Sequence, residues 1–337
     1  MNKKIVAVVS AAVAALSVVG CDGGNNGVEG HSGPVRIVMP DGAPAVALAQ
    51  FMAEGYDNTE FTVVQSSTIV QEFTSGNYGN YEMAIMPVNA AATLYNKDAG
   101  VKLLTVNTHG NLFFVGDGDG IEPNDLIGKR IAVIGEGAVP DYTLRMVFGE
   151  LEIRYVKSTD AVSGSIAVQY AADGAAVIGL LQNGLIDYGF LAEPAATTAA
   201  NKLGKSIVLD AQELWADTFG TAYPQACLVA TADFARTEGD YIKEFMSAMQ
   251  GSEEDEWAKN NPQAAVTAIG EHMKDGSATT VKTLTADIIE RCNIETVFAP
   301  DAKTECELFF TKLMGLNNEF DRPVLSALPD DGFYYGL

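Results

Sequence analysis

Basic residues are scarce in this sequence, and residue types that commonly bind metals are scarcer still. The 337 residues include 21 Lys and Arg against 44 Asp and Glu, which gives a net charge of −23. Such an acidic surface repels phosphate backbones, so we expect no nucleic-acid partner. The three histidines lie far apart, and no two cysteines have C-x-x-C spacing. We therefore expect no metal site, and no motif indicates a cofactor.

Long apolar runs are also absent, apart from one at the N-terminus. Lys3 and Lys4 precede a run of apolar and small residues at 5–20. This run is too short to span a membrane and has the pattern of a secretory signal. Residues 18–21, Val-Val-Gly-Cys, resemble a bacterial lipobox, which implies cleavage before Cys21 and lipid on its thiol. An ordinary signal peptide with a chance cysteine is the alternative.

The stretch after Cys21 is rich in Gly and Asn, a composition typical of a flexible leash. We expect a signal peptide at 1–20 and a lipid-anchored tether at 21–33. These segments place the protein outside the cytoplasm, on the outer face of the cytoplasmic membrane or in the periplasm. Cleavage removes Lys3 and Lys4, so the net charge of −23 becomes −25.

Three further cysteines lie in the body of the chain. Cys227 belongs to an apolar run that predicts a buried strand. Cys292 and Cys306 flank a short segment of an exported chain, so a disulfide between them and two separately buried thiols are both open.

Strand-like and helix-like runs alternate along most of the chain, which predicts an α/β fold with mostly parallel sheets flanked by helices. About 305 residues follow the tether, more than one hydrophobic core comfortably holds, so we expect two domains. After residue 231 the pattern predicts successive helices, a helical C-terminal extension. The predicted strands are 35–39, 61–65, 83–86, 102–106, 130–134, 166–169, 188–191, 206–209 and 226–230.

Two turn-rich segments, 116–123 and 219–224, interrupt both periodicities and predict crossings between domains. The first lobe would comprise residues 34–118 plus 224–337, and the second lobe residues 119–223. Two crossings form a hinge, and a cleft would lie between the lobes.

Three stretches resemble the nitrate/sulfonate/taurine-type solute-binding proteins of ABC transporters. They are DLIGKRIAV at 125–133, LLQNGLIDYGFLAEP at 180–194, and IVMPDGAP at 37–44 with the Ala-rich helix that follows. The resemblance covers nearly the whole chain after the tether. It implies the type II periplasmic-binding-protein fold, with two hinged lobes, and partnership with ABC permease and ATPase subunits. We expect a monomer.

Ligands of open α/β sheets lie at the carboxyl ends of the strands, where helix N-termini suit anionic groups. The predicted strand ends, hinge and cleft supply the candidate ligand-binding residues, and the resemblance implies that Glu193 faces the cleft. They are Asp41, Gly42, Ala43, Ser66, Ser67, Thr68, Pro87, Asn89, Asn107, His109, Gly135, Gly137, Ala138, Val139, Glu193 and Tyr223.

Several of these residues have two interpretations. Gly135-x-Gly137 either turns backbone N–H groups to a ligand or makes a tight turn that needs positive φ. Asn89 either caps a helix or contacts the ligand. His109 either binds the ligand or braces the hinge, and Tyr223 either stacks on a ligand ring or packs in the hinge.

The predicted function is that of an extracytoplasmic lipoprotein that binds a small polar or anionic solute in an interlobe cleft and delivers it to an ABC importer. We expect no catalytic residue, because the sequence has no G-x-S-x-G motif and no cysteine with a nearby histidine. Enzymes that resemble these binding proteins, the thiamine-pyrimidine synthases and chorismate dehydratase, are one alternative. A ligand-sensing lobe for a membrane receptor is another.

Overall fold

The computed structural model describes residues 31–251, 254–317 and 321–337. The predicted signal peptide (1–20), Cys21 and all but the last three residues of the predicted tether (21–33) lie outside these ranges. Within the described ranges, no helix has both the length and the apolar character that crossing a membrane requires.

The described chain alternates strands and helices. The strands are β1 (Val35–Pro40), β2 (Thr59–Val64), β3 (Met83–Pro87), β4 (Val101–His109), β5 (Leu112–Gly116), β6 (Arg130–Ile134), β7 (Tyr155–Lys157), β8 (Ile166–Ala171), β9 (Tyr188–Ala192), β10 (Ser206–Asp210), β11 (Pro224–Thr231) and β12 (Ile294–Phe298). The helices are α1 (Ala43–Ala47), α2 (Ala49–Glu54), α3 (Ile69–Thr74), α4 (Val88–Tyr95), α5 (Val139–Glu150), α6 (Gly174–Gln182), α7 (Ala195–Leu203), α8 (Ala211–Phe219), α9 (Ala232–Thr237), α10 (Gly239–Gly251), α11 (Glu254–Asn260), α12 (Pro262–Glu271), α13 (Ala286–Arg291) and α14 (Ala299–Met314).

Two mixed sheets of six strands form the framework, and helices flank both. The first sheet has the order β12-β4-β11-β3-β1-β2, in which β1 to β4 run the same way and β11 and β12 run against them. The second has the order β10-β5-β9-β6-β8-β7, with only β5 reversed. The predicted fold class is therefore confirmed.

Burial explains why these runs form central strands. In β1 the consecutive residues Ile37, Val38 and Met39 are all fully buried, because helices cover both faces of the sheet. Such strands show continuous apolar runs rather than an apolar-polar alternation.

Helix ends follow local chemistry. The Asp173 carboxylate accepts a hydrogen bond from Ala176 N and caps α6, and the Asp210 carboxylate caps α8 through Gln212 N. α8 ends at Gly220, whose left-handed conformation suits glycine.

The first crossing between the sheets lies at Gly110 and Asn111, earlier than the predicted segment 116–123. The run Leu112–Gly116, which the strand prediction missed, is β5 and pairs with β9 and β10 of the second sheet. A turn-rich segment marks where a strand ends, but it does not tell which sheet that strand joined. Strand pairing thus assigns Leu112–Gly116, which precedes the expected boundary at residue 118, to the second sheet. The return to the first sheet falls between Phe219 and Pro224, inside the predicted segment.

The C-terminal extension is not helical throughout, because Ile294–Phe298 forms the edge strand β12 against β4. The extension also joins the two sheets. Phe309 of α14 packs against Trp215 of α8, with ring centroids 5.8 Å apart, and one buried apolar cluster runs from the first sheet through α14 into the second.

An ion pair connects two of the stretches that carry the family resemblance. Arg130 Nη2 lies 2.8 Å from Asp187 Oδ1, and Arg130 N donates to Asp187 Oδ2. The hydrogen bond from the Arg130 side chain lowers the pKa of the Asp187 carboxyl. Both residues lie where β6 and β9 begin, at the end opposite the predicted site, so this part of the resemblance reflects sheet assembly.

Cys227, Cys292 and Cys306 are buried free thiols. The structure therefore has separately buried thiols at Cys292 and Cys306, and the disulfide is not formed.

Candidate functional site

The carboxyl ends of the parallel strands of both sheets meet at the crossings. β4 ends at His109, the chain crosses at Gly110 and Asn111, and β5 begins at Leu112, which pairs with Ala192 at the end of β9. We call this region, the carboxyl ends of β1–β4 and of β6 and β8–β10 with the loops that follow them, the cleft edge. It is the place where the fold class predicts a ligand.

On the first sheet, Asp41 is buried and its carboxylate is fully engaged. Thr279 Oγ1 and Thr280 Oγ1 each donate to it at 2.7 Å, and Thr280 N donates as well. Ser66 Oγ donates to the Asp41 carbonyl oxygen at 3.0 Å. Asp41 thus fastens the loop at Thr279 and Thr280 to the end of β1. Gly42, with φ +119, and buried Ala43 start α1 directly behind it.

The other first-sheet candidates lie at the starts of α3 and α4. Ser66, Ser67 and Thr68 form an exposed turn, and Thr68 Oγ1 donates to the Gln65 carbonyl oxygen within it. Pro87 occupies the N-cap position of α4, whose first turn contains Asn89. Asn89 makes no capping bond, and its buried Oδ1 has no hydrogen-bond partner in the described part of the chain, so the capping interpretation is wrong.

At the crossing, His109 and Tyr223 both have structural neighbours. His109 Nε2 lies 3.1 Å from Glu305 Oε1 of α14. Tyr223 is fully buried between Trp215 and Phe309, with centroid distances of 5.2 and 6.4 Å, and burial raises the pKa of its phenol. The hinge interpretation therefore describes the contacts of both residues in this structure.

On the second sheet, the glycine loop makes a tight turn. Gly135 and Gly137 have φ of +66 and +75. Gly135 N donates to Ala171 O, Gly137 N to Asp141 Oδ2, and Ala138 N back to Gly135 O. These three N–H groups are satisfied by the loop itself and by the adjoining β8 and α5, which supports the turn interpretation. Val139 is buried at the start of α5.

Glu193 forms a bridge between the two halves. Its side chain is fully buried, and its carboxylate accepts from Thr197 N at 3.0 Å and from Arg291 Nε at 2.7 Å. Arg291 Nη2 also donates to Thr197 Oγ1 at 2.7 Å. Arg291 ends α13 beside the first sheet, whereas Thr197 lies in α7 of the second. We call Glu193, Thr197 and Arg291 the latch.

Sequence reasoning missed Arg291 and Thr197. Arg291 lies just before the β-branched run of β12. We expected only helices in this region and therefore did not predict β12. The start of that strand places Arg291 at the cleft edge. Thr197 follows Glu193 by four residues, a spacing that predicts contact in a helical first turn.

Four basic side chains at or beside the cleft edge are paired with carboxylates. Nitrogen-to-oxygen distances are 2.7 Å for Arg291 with Glu193, 2.7 Å for Lys157 with Glu136, 3.6 Å for Arg145 with Asp141 and 3.1 Å for His109 with Glu305. The positive charge of these four side chains is therefore balanced by neighbouring carboxylates. Among the described residues no group of His, Cys, Asp or Glu side chains is arranged to hold a metal ion.

No family model matches the sequence, and no curated protein matches it. Solved structures do. An ABC transporter structure from Parabacteroides distasonis has a TM-score of 0.70 and 22% identity, covering 90% of this chain and 99% of that one. The periplasmic aliphatic sulphonate binding protein SsuA from Escherichia coli has a TM-score of 0.58 and 16% identity, covering 83% and 93%. A DszB variant in complex with biphenyl-2-sulfinic acid has a TM-score of 0.51 and 14% identity, covering 83% and 92%. The chain therefore has the fold of ABC-transporter solute-binding proteins.

Proposed function

We propose that the protein captures a small polar or anionic solute at the cleft edge, outside the cytoplasmic membrane, and delivers it to an ABC importer. The observation that carries the proposal is the double crossing, which sets the strand ends of two sheets against each other. The likeness to SsuA, a sulphonate-binding protein by its description, supports a small-molecule ligand.

The latch supports a mechanism of opening and closing. Arg291 and Glu193 belong to opposite halves and meet at the cleft edge, whereas the crossings at Gly110 and Tyr223 are narrow connections. A solute would enter when the latch separates and would be enclosed when it re-forms, in a hinge motion about the crossings.

The cysteines of the described residues are poorly suited to act as nucleophiles. The thiols of Cys227, Cys292 and Cys306 are buried, and burial raises the pKa of each above its ordinary value. A buried thiol with a raised pKa is a poor nucleophile. A ligand-sensing protein would have the same ligand site and would differ in its membrane partner, which would be a receptor instead of an importer.

Solute binding should compact the molecule. A ligand that binds only the folded state, present at about 100 times its Kd, should stabilise the protein by about 2.7 kcal/mol. Thermal shift with panels of alkanesulfonates, carboxylates and carboxamides identifies a binder, and small-angle scattering with that binder should then show a smaller radius of gyration. An unchanged radius at saturation would contradict lobe closure.

The lipid anchor has its own test. Because residues 18–21 resemble a lipobox, Cys21→Ser should move the protein from the membrane fraction to the soluble fraction or block its processing. Asn25→Ser, in the predicted tether, leaves the lipobox intact and is the matched control. Fractionation and mass spectrometry of the processed N-terminus measure both. Undiminished membrane association of the Cys21 variant counts against lipidation.

A further inference from the structure

Several buried polar atoms at the cleft edge have no hydrogen-bond partner among the residues that the structure describes. Asn107 lies two residues before the end of β4 and has no exposed surface, and neither its Oδ1 nor its Nδ2 is paired. The hydroxyl of Thr108 and Nδ1 of His109 are also buried and unpaired, as are Oδ1 of Asn89 and Oε1 of Gln212. Buried polar groups almost always have hydrogen-bond partners, so several unpaired polar atoms in one region indicate that a bound molecule supplies the partner.

These atoms come from both halves of the molecule. Gln212, at the start of α8, places Oε1 2.4 Å from the point where a Cβ on Gly110 would stand, and Gly110 directly follows His109. Asn89 follows β3, which is separated from β4 only by β11, so it lies about 10 Å from the end of β4 at ordinary strand spacing. The orphaned atoms therefore span a region of small-molecule size.

The side-chain amide of Asn107 restricts what can satisfy it. Its oxygen needs a donor and its nitrogen needs an acceptor, and the requirement stands whichever way the amide is oriented. A sulfonate, nitrate or carboxylate only accepts hydrogen bonds, so it would pair with the nitrogen and leave the amide oxygen facing negative charge.

The charges nearby also disfavour a bare anion. Arg291, Lys157 and Arg145 are each engaged by a carboxylate, so an anion would have to compete with Glu193, Glu136 or Asp141 for its counter-charge. An uncharged ligand faces no such competition.

We infer that the ligand is an uncharged small molecule that presents an N–H or O–H donor beside a carbonyl or ring-nitrogen acceptor, as carboxamides, lactams and imides do, and that Asn107 binds it. The inference rests on the proposed function and narrows its ligand class. A carboxamide or lactam edge supplies the donor and the acceptor together and completes both hydrogen bonds of the Asn107 amide.

The test uses matched probes with the full chain purified in detergent. Nicotinamide is compared with nicotinate, and succinimide with succinate, alongside methanesulfonate, by thermal shift and calorimetry. At least one uncharged probe should bind, at least tenfold more tightly than its matched anion and than methanesulfonate. This comparison needs no variant.

Asn107→Leu then tests the residue itself. Replacing two unpaired polar atoms with methyl groups, at the same number of side-chain heavy atoms, should leave the ligand-free Tm at or above that of the parent protein, while affinity for the uncharged probe falls at least tenfold. Thr105→Val, on the same strand, removes another buried unpaired hydroxyl and is the matched control, with affinity within twofold.

The outcomes separate the two proposals. Binding of an anionic probe with lobe closure, and no binding of uncharged probes, overturns the ligand class and leaves solute capture standing. Undiminished affinity in Asn107→Leu overturns the role of Asn107. The absence of any binding or compaction contradicts both the ligand class and the proposed function.

Discussion

Replacing Arg291 with leucine is expected to lower the free energy of unfolding by about 3 kcal/mol. The change leaves the Glu193 carboxylate, which is fully buried, without its cation. Removing one partner of a buried ion pair costs about 3–5 kcal/mol because the remaining charge is uncompensated. The lower end applies here, since Thr197 still donates hydrogen bonds from N and Oγ1. Urea denaturation measures the loss.

The opposite change should cost less. In Glu193→Gln the arginine is left unpaired, but 34% of its side chain is exposed and water can solvate it. The matched control is Arg236→Leu, which breaks an exposed pair with Asp233 and should change stability by at most about 1 kcal/mol. Equal small losses in Arg291→Leu and Arg236→Leu would show that the latch does not hold the halves together.

Gly110→Ala should destabilise the protein by about 3 kcal/mol, the upper part of the range for overpacking. A Cβ at this position would stand 2.2 Å from two ring carbons of Tyr223 and 2.4 Å from Gln212 Oε1. The ring has little room to move, because Trp215 and Phe309 pack against it. The backbone at the first crossing must therefore shift, which should also alter lobe closure in small-angle scattering.

The control for this change is Gly149→Ala in α5, where an added Cβ meets no atom within 4 Å. Alanine favours helix, so this variant should be more stable by about 0.5–1 kcal/mol. Adding Tyr223→Leu to Gly110→Ala should recover part of the loss if the clash is its cause. Thermal melts of the four proteins settle the comparison. A Gly110→Ala melt that matches Gly149→Ala would mean the crossing tolerates a side chain.

The contents of each sheet were largely predictable, but their boundaries were not. The strand predicted at 130–134 is β6 as observed, because a β-branched apolar run between polar turns has one favourable state. The run Leu112–Gly116 was missed, and with it the true first crossing. Its membership in the second sheet depends on pairing with β9, some 75 residues away, which local periodicity does not encode.

For the candidate site, too, the sequence predicted the positions of the loops but not their contacts. That the loops following the strands at Asp41, Ser66 and Gly135 lie at one edge of their sheets could be predicted, because parallel strands align their carboxyl ends. What those residues contact could not. Asp41 is saturated by Thr279 and Thr280, more than 230 residues away.

The sequence by itself determined the α/β class, the position of most strands and the loops from which a site must be built, because hydrophobic period and turn chemistry act over short distances. Only the tertiary structure decided which polar groups are already satisfied and which are not. In the folded protein Arg291 donates to Glu193 and the Gly137 N–H donates to Asp141. Neither end of the Asn107 amide has a partner among the described residues. Hydrogen bonds form between atoms that folding brings together, so the donors and acceptors that remain unpaired at a site are defined only once the chain has packed.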